Sequence, residues 1–171
     1  MSATTIRPRI YVACLASYNA GRLYGKWIDA DQDADDIQAE VDAMLAASPD
    51  PYAEEWAIHD SEGLGRIGEW EPFERVAAIG QSVAEAGDDA PALLAWLDYD
   101  SSNDPEEFAD CYAGHWDSLT DFAYELNEGD SLNGRLDSYI DWESVGRDLH
   151  LNGNVWTADA REGGVYVYWN R

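Results

Sequence analysis

Arg9 to Leu45, RIYVACLASYNAGRLYGKWIDADQDADDIQAEVDAML, changes its hydrophobic period partway along. Arg9 to Leu15 and Leu23 to Asp29 are short runs rich in β-branched and aromatic residues. Ser17-Tyr18-Asn19-Ala20-Gly21 between them has turn chemistry, so the pair reads as a hairpin or as close-packed strands. After Asp29 the apolar residues fall at helical spacing: Ile37, Val41, Met44 and Leu45, with Asp35, Asp36, Gln38, Glu40 and Asp42 mostly on other faces. Acids at the front suit the positive end of a helix dipole. Ser48-Pro49-Asp50-Pro51 stops the helix, and Glu54 to Asp60 (EEWAIHD) reads as a third strand. The stretch therefore predicts an α+β fold beginning with a small antiparallel sheet and one helix, over residues 1–62.

Outward from there, Ser61-Glu62-Gly63-Leu64-Gly65 marks a domain boundary. Pro72 opens a helix with Phe73, Val76, Ala77, Gly80, Val83 and Ala84 on one face, closed at Gly87. Asp89-Ala90-Pro91 starts another through Leu93, Leu94 and Leu97, giving a helical middle domain over 63–103. Asp104-Pro105-Glu106-Glu107 is a helix start, repeated more weakly at Ser118-Leu119-Thr120-Asp121, so helices are expected at Pro105 to Tyr112 and Leu119 to Leu126. Asn133-Gly134 reads as a turn. A helix through Trp142, Val145 and Leu149 and strands at Val155 to Ala158 and Val165 to Trp169 complete a C-terminal α+β domain over 104–171. No fixed-period repeat is visible.

Charge narrows the function. The 171 residues hold 35 acidic and 10 basic side chains, a formal charge of -25. Val76 to Gly134 carries fourteen acids and no Lys or Arg, yet includes Trp96, Phe108, Tyr112, Trp116 and Phe122, anchors that a disordered acidic tail lacks. Such a folded anionic surface repels nucleic acid and anionic membrane and attracts cationic surfaces. No apolar run reaches the length of a membrane span and no secretory signal opens the chain, so a cytoplasmic protein is expected.

Chemistry-bearing motifs are missing. Cys14 and Cys111 read as buried free thiols. Asp29, Asp31, Asp33, Asp35 and Glu40 occupy positions 1, 3, 5, 7 and 12 of a calcium-loop template, but Ala34 stands where the turn needs Gly and a strand precedes it. His59 reads as a structural strand residue rather than a general base. Neither a nucleophile elbow, a phosphate loop nor a zinc motif is present, and neither cofactor nor metal is expected. With only Lys26 and nine arginines to make a basic groove, the eight Trp and ten Tyr read as packing rather than base-stacking platforms. Three readings of the acidity stay open on composition: a DNA mimic, whose charge would match about 43 Å of duplex at one charge per ~1.7 Å; a salt-adapted enzyme; or an acidic adaptor for another basic protein.

Four blocks bear on that choice. Tyr18 to Ala30, YNAGRLYGKWIDA, resembles the N-terminal signature of the ArdA antirestriction family, roughly YNxGxLxGxWxDA. Glu54 to Gly63 is similar to that family's second block. Phe108 to Gly114 with Trp116, Ser118 and Asp121-Phe122-Ala123 resembles the third, and Tyr139 to Trp142 with Arg147-Asp148-Leu149 the C-terminal part. The blocks stand in order and span nearly the whole chain; the departures are an N-terminus extended by Ser2 to Pro8 and an Ala-rich, Lys-poor composition. The resemblance implies a non-enzymatic, elongated, curved homodimer of three small domains that imitates bent B-form DNA. It would occupy the DNA site of Type I restriction-modification enzymes, protect incoming mobile DNA, and bind no nucleic acid itself. What carries over is a carboxylate surface: Asp29, Asp31, Asp33, Asp35, Asp36, Glu40 and Asp42, then Asp88, Asp89, Asp98, Asp100, Asp104, Glu106, Glu107, Asp110, Asp117, Asp121, Glu125, Glu128 and Asp130. Tyr166, Tyr168 and Trp169, expected to be exposed aromatics, are candidates for the dimer contact.

Overall fold

A computed structural model describes residues 6–128 and 137–170. The chain divides into two compact units, Met1–Glu106 and Glu107–Arg171, each containing a three-stranded antiparallel sheet and helices. The class is α+β, as the change of period indicates.

In the first unit the order is β1 (Arg9–Cys14), α1 (Leu15–Asn19), β2 (Gly25–Asp29), α2 (Ala34–Ala46), β3 (Trp56–Glu62), α3 (Phe73–Ala86) and α4 (Ala90–Tyr99). The sheet order is β2-β1-β3, with Ile10 opposite Ile28 and Ala13 opposite Ala57. The expected turn at Ser17 to Gly21 is largely the one-turn helix α1; the chain leaves it through Gly21 at φ 76, a left-handed conformation that glycine adopts without steric cost. Ile10, Val12 and Ile28 of the sheet and Ile37, Val41 and Met44 of α2 are buried, and α2 packs on β1, β2 and α3. The last contact depends on Gly80, where a Cβ would stand 2.1 Å from the carbonyl oxygen of Ala30. A glycine at that one position lets α3 lie against the chain leaving β2.

The second unit holds α5 (Phe108–Cys111), β4 (Tyr112–Trp116), α6 (Leu119–Glu128), α7 (Trp142–Leu151), β5 (Val155–Asp159) and β6 (Val165–Trp169), with sheet order β4-β6-β5. Phe122, Val155 and Val167 form its core, flanked by Trp116, Leu119, Leu149, Val165 and Trp169. α6 and α7 pack together. Gly146 makes that closeness possible, since a Cβ there would meet the Leu119 carbonyl oxygen at 3.0 Å.

Two expectations are corrected here. The helix expected from Pro105 to Tyr112 is a 3-10 turn at Pro105–Glu107 followed by the single turn α5, and Tyr112 opens a strand. The ladder partner of that strand is β6, more than forty residues away, with a register shift between Tyr112 and Gly114. Tyr166 and Tyr168, expected to be exposed, are 6% and 0% exposed, and Trp169 is half-buried against Phe122. As members of the central strand β6, with Tyr168 stacked on Trp156 at 4.1 Å, the two tyrosines serve packing and offer no exposed contact. The expected turn at Asn133-Gly134 lies outside the described residues.

Candidate anionic interface

The acidic surface is built most regularly on α2. Its apolar stripe faces the sheet, so the intervening positions face solvent: Asp35, Asp36 and Asp42 are exposed, as are Asp31 and the N-cap residue Asp33. At ~1.5 Å per residue, Asp35 and Asp42 stand about 10 Å apart along the helix axis. Asp29 and Glu40, by contrast, are half-buried and already paired. Arg7 meets Asp29 at 2.9 Å, and Lys26 meets Glu40 at 2.5 Å. Gln32 bridges the two acids, donating to the Asp29 carbonyl and to the Glu40 carboxylate at 2.8 and 2.9 Å. The Lys26 hydrogen bond, helped by Gln32, holds the Glu40 carboxyl below the ordinary glutamate range.

The fold brings acids far apart in sequence to one place. Gln81 of α3 donates to Asp33 at 3.1 Å. Asp31 and Asp88 line the same groove of about 350 Å³, together with Arg7 and Val83. Asp88 and Asp89 lie in the exposed 3-10 turn Gly87–Asp89 that joins α3 to α4. At the far end of α4, Asp98 is 4.0 Å from Arg66, and Asp100 accepts from the Ser102 hydroxyl and amide at 2.6 and 2.8 Å, which keeps its carboxyl ionised below the usual aspartate range. Asp104 is exposed and accepts from the Glu106 amide at 3.1 Å.

In the second unit Glu107, Asp110, Asp117, Asp121 and Glu125 are exposed. Asp121 lies beside the cap of α6: the Ser118 hydroxyl accepts from the Asp121 amide at 3.1 Å and donates to the Asp121 carboxylate. Glu128 ends α6, and Asp130 lies outside the described residues.

Sequence reasoning misses further exposed acids, among them Glu54, Glu55, Asp60, Glu69, Glu74, Glu85, Asp141, Glu143, Asp148 and Asp159. Neither residue type nor exposure separates them from most of the twenty candidates. Asp141 also has a local role as the cap of α7, accepting the Ser144 amide at 3.2 Å and its hydroxyl at 2.6 Å, so its carboxyl too is held low.

Among the described residues no group of three or more His, Cys, Asp or Glu side chains is placed to hold a metal ion, and no helix is long and apolar enough to cross a membrane. Cys14 and Cys111 are buried free thiols. His59 packs edge-on against Tyr18 at 4.8 Å on the edge strand β3. The arrangement offers fixed negative charge on rigid elements.

A family model described as "Antirestriction protein (ArdA)" matches residues 10–162 of the 171-residue chain. No curated protein matches it.

Proposed function

The chain belongs to the ArdA antirestriction family, a family of inhibitors rather than enzymes, and from that premise we propose that it acts as a DNA mimic. In this reading its carboxylates take the place of phosphates in the DNA-binding groove of a Type I restriction-modification enzyme. The protein works as a homodimer in the cytoplasm and protects incoming mobile DNA. The division of the chain at 62/63 and 103/104 into three domains belongs to the same proposal.

The observation that supports it best is the exposure of the acids on α2, on the turn between α3 and α4, and on α5 and α6, each backed by a buried apolar core. A groove that binds duplex DNA is lined with Lys and Arg placed to meet phosphates. Carboxylates held on folded elements meet the same cations with little ordering cost, because helix and sheet have already fixed their backbone.

The test is a restriction and methylation assay of a Type I enzyme with increasing inhibitor at low salt. Loss of both activities, relieved by excess substrate DNA, is expected. Full activity at large inhibitor excess would sink the proposal.

A further inference from the structure

We propose that the groove between the first turns of α2 and α3 receives one arginine side chain of the partner protein. It has a volume of about 350 Å³, and its lining includes Trp56, Trp70, Phe73, Asp35, Glu71 and Glu74. Trp56 stacks on buried Phe73 with centroids 4.4 Å apart and planes 18° apart, which fixes one wall. Trp70 stands 6.1 Å from Trp56 at 45° and is 62% exposed, so the aromatic surface opens to solvent. Glu71 is held by the amide of Gly68 at 3.0 Å, while Asp35 and Glu74 are exposed in the first turns of their helices.

Charge decides the occupant. An apolar side chain would satisfy the rings and leave the charge of the acidic lining residues Asp35, Glu71 and Glu74 uncompensated, whereas a cation satisfies both. Among cations, guanidinium fits an aromatic wall better than ammonium, because it is planar, more weakly hydrated and able to stack while its N–H groups reach carboxylates. The phosphates of duplex DNA offer charge without an aromatic wall. This contact would therefore add to mimicry a localised anchor of the kind that dominates protein interfaces. It rests on the proposed function insofar as the arginine belongs to a DNA-binding enzyme.

Titration of the ¹⁵N-labelled full-length protein with N-acetyl-arginine amide, N-acetyl-lysine amide and N-acetyl-leucine amide tests the groove without any enzyme. The indole N–H resonances of Trp56 and Trp70 should shift saturably with the arginine amide, at least about threefold more weakly with the lysine amide, and not with the leucine amide. Trp70→Ala should abolish the shift at Trp56, and Trp70→Phe should retain part of it. Equal responses to arginine and leucine, or equal shifts at all eight tryptophans, would overturn the assignment. Against the enzyme, W70A should raise the half-inhibitory concentration roughly tenfold with its salt dependence unchanged, and an unaltered value would count against the anchor. A wild-type protein that fails to inhibit refutes the functional reading, while the amide titration still decides the groove.

Discussion

At the scale of single residues, the acids are alike in the sequence and unlike in the molecule. Glu40 is paired with Lys26, Asp141 caps a helix, Asp121 accepts from the Ser118 hydroxyl that caps another, and Asp42 faces water with Gln38 donating to it at 2.8 Å. That an aspartate lies on the surface is legible from its chemistry; whether a cation already neutralises it depends on a partner brought by the fold. Glu40 gives a pH test. Its folded-state pKa is depressed by Lys26 and Gln32, so its contribution to stability is fully present above the ordinary glutamate value of ~4.3. That contribution is lost as pH falls through the lower folded value. Glu40→Gln should therefore reduce stability at pH 7 and show a shallower fall between pH 5 and 3, measured by urea unfolding across pH. Gly80 gives a packing test. Alanine there would gain about 1 kcal/mol of helix propensity, but its Cβ would meet a backbone carbonyl at 2.1 Å, an atom that cannot swing away. Overpacking of this kind costs about 1–3 kcal/mol, so Gly80→Ala should lower the urea midpoint; an unchanged or raised midpoint would contradict the close approach.

At the scale of elements, the sequence is most readable where local pattern and tertiary packing agree. α2 is legible because Ile37, Val41 and Met44 recur at helical spacing and are the residues buried. β5 and β6 are legible from their aromatic and β-branched runs. β4 is not, because Tyr112-Ala113-Gly114-His115-Trp116 has no period of its own and Gly114 sits at φ 110. Pairing with β6 makes it a strand, and single-sequence periodicity does not register a distant partner. The same limit hides the groove of Trp56, Trp70 and Phe73, whose walls come from a strand, a loop and a helix. For the proposed interface, α2 predicts a graded response. Asp35→Asn, Asp36→Asn and Asp42→Asn should leave the fold intact, since the buried stripe and Asp33 are untouched, and each added change should weaken inhibition further. Glu40→Gln should weaken it least, because that carboxylate is half-buried and paired. Titrations of restriction activity with single, double and triple variants would measure the order; abolition by one substitution in a folded protein would point to a single essential site instead.

At the scale of the whole molecule, one cause should move two measurements in opposite directions. A chain of net charge -25 repels itself in the folded state more than in the expanded one, because folding crowds the carboxylates. Added salt shortens the screening length from ~30 Å at 0.01 M to ~8 Å at 0.15 M and relieves that repulsion, so the thermal midpoint should rise across this range. Attraction between the anionic surface and a cationic groove is screened by the same ions, so inhibition should weaken. The cores at Ile10, Val12, Ile28, Ile37 and Val41 and at Phe122, Val155 and Val167 are apolar and nearly indifferent to salt at these concentrations. The fold should accordingly persist in dilute buffer, with a native circular dichroism spectrum at 0.01 M. A salt-adapted enzyme would behave differently, needing molar salt to fold. Parallel salt series of thermal unfolding and restriction inhibition would separate the two: opposite slopes fit a charged surface made for binding, whereas unfolding in dilute buffer would assign the acidity to salt adaptation.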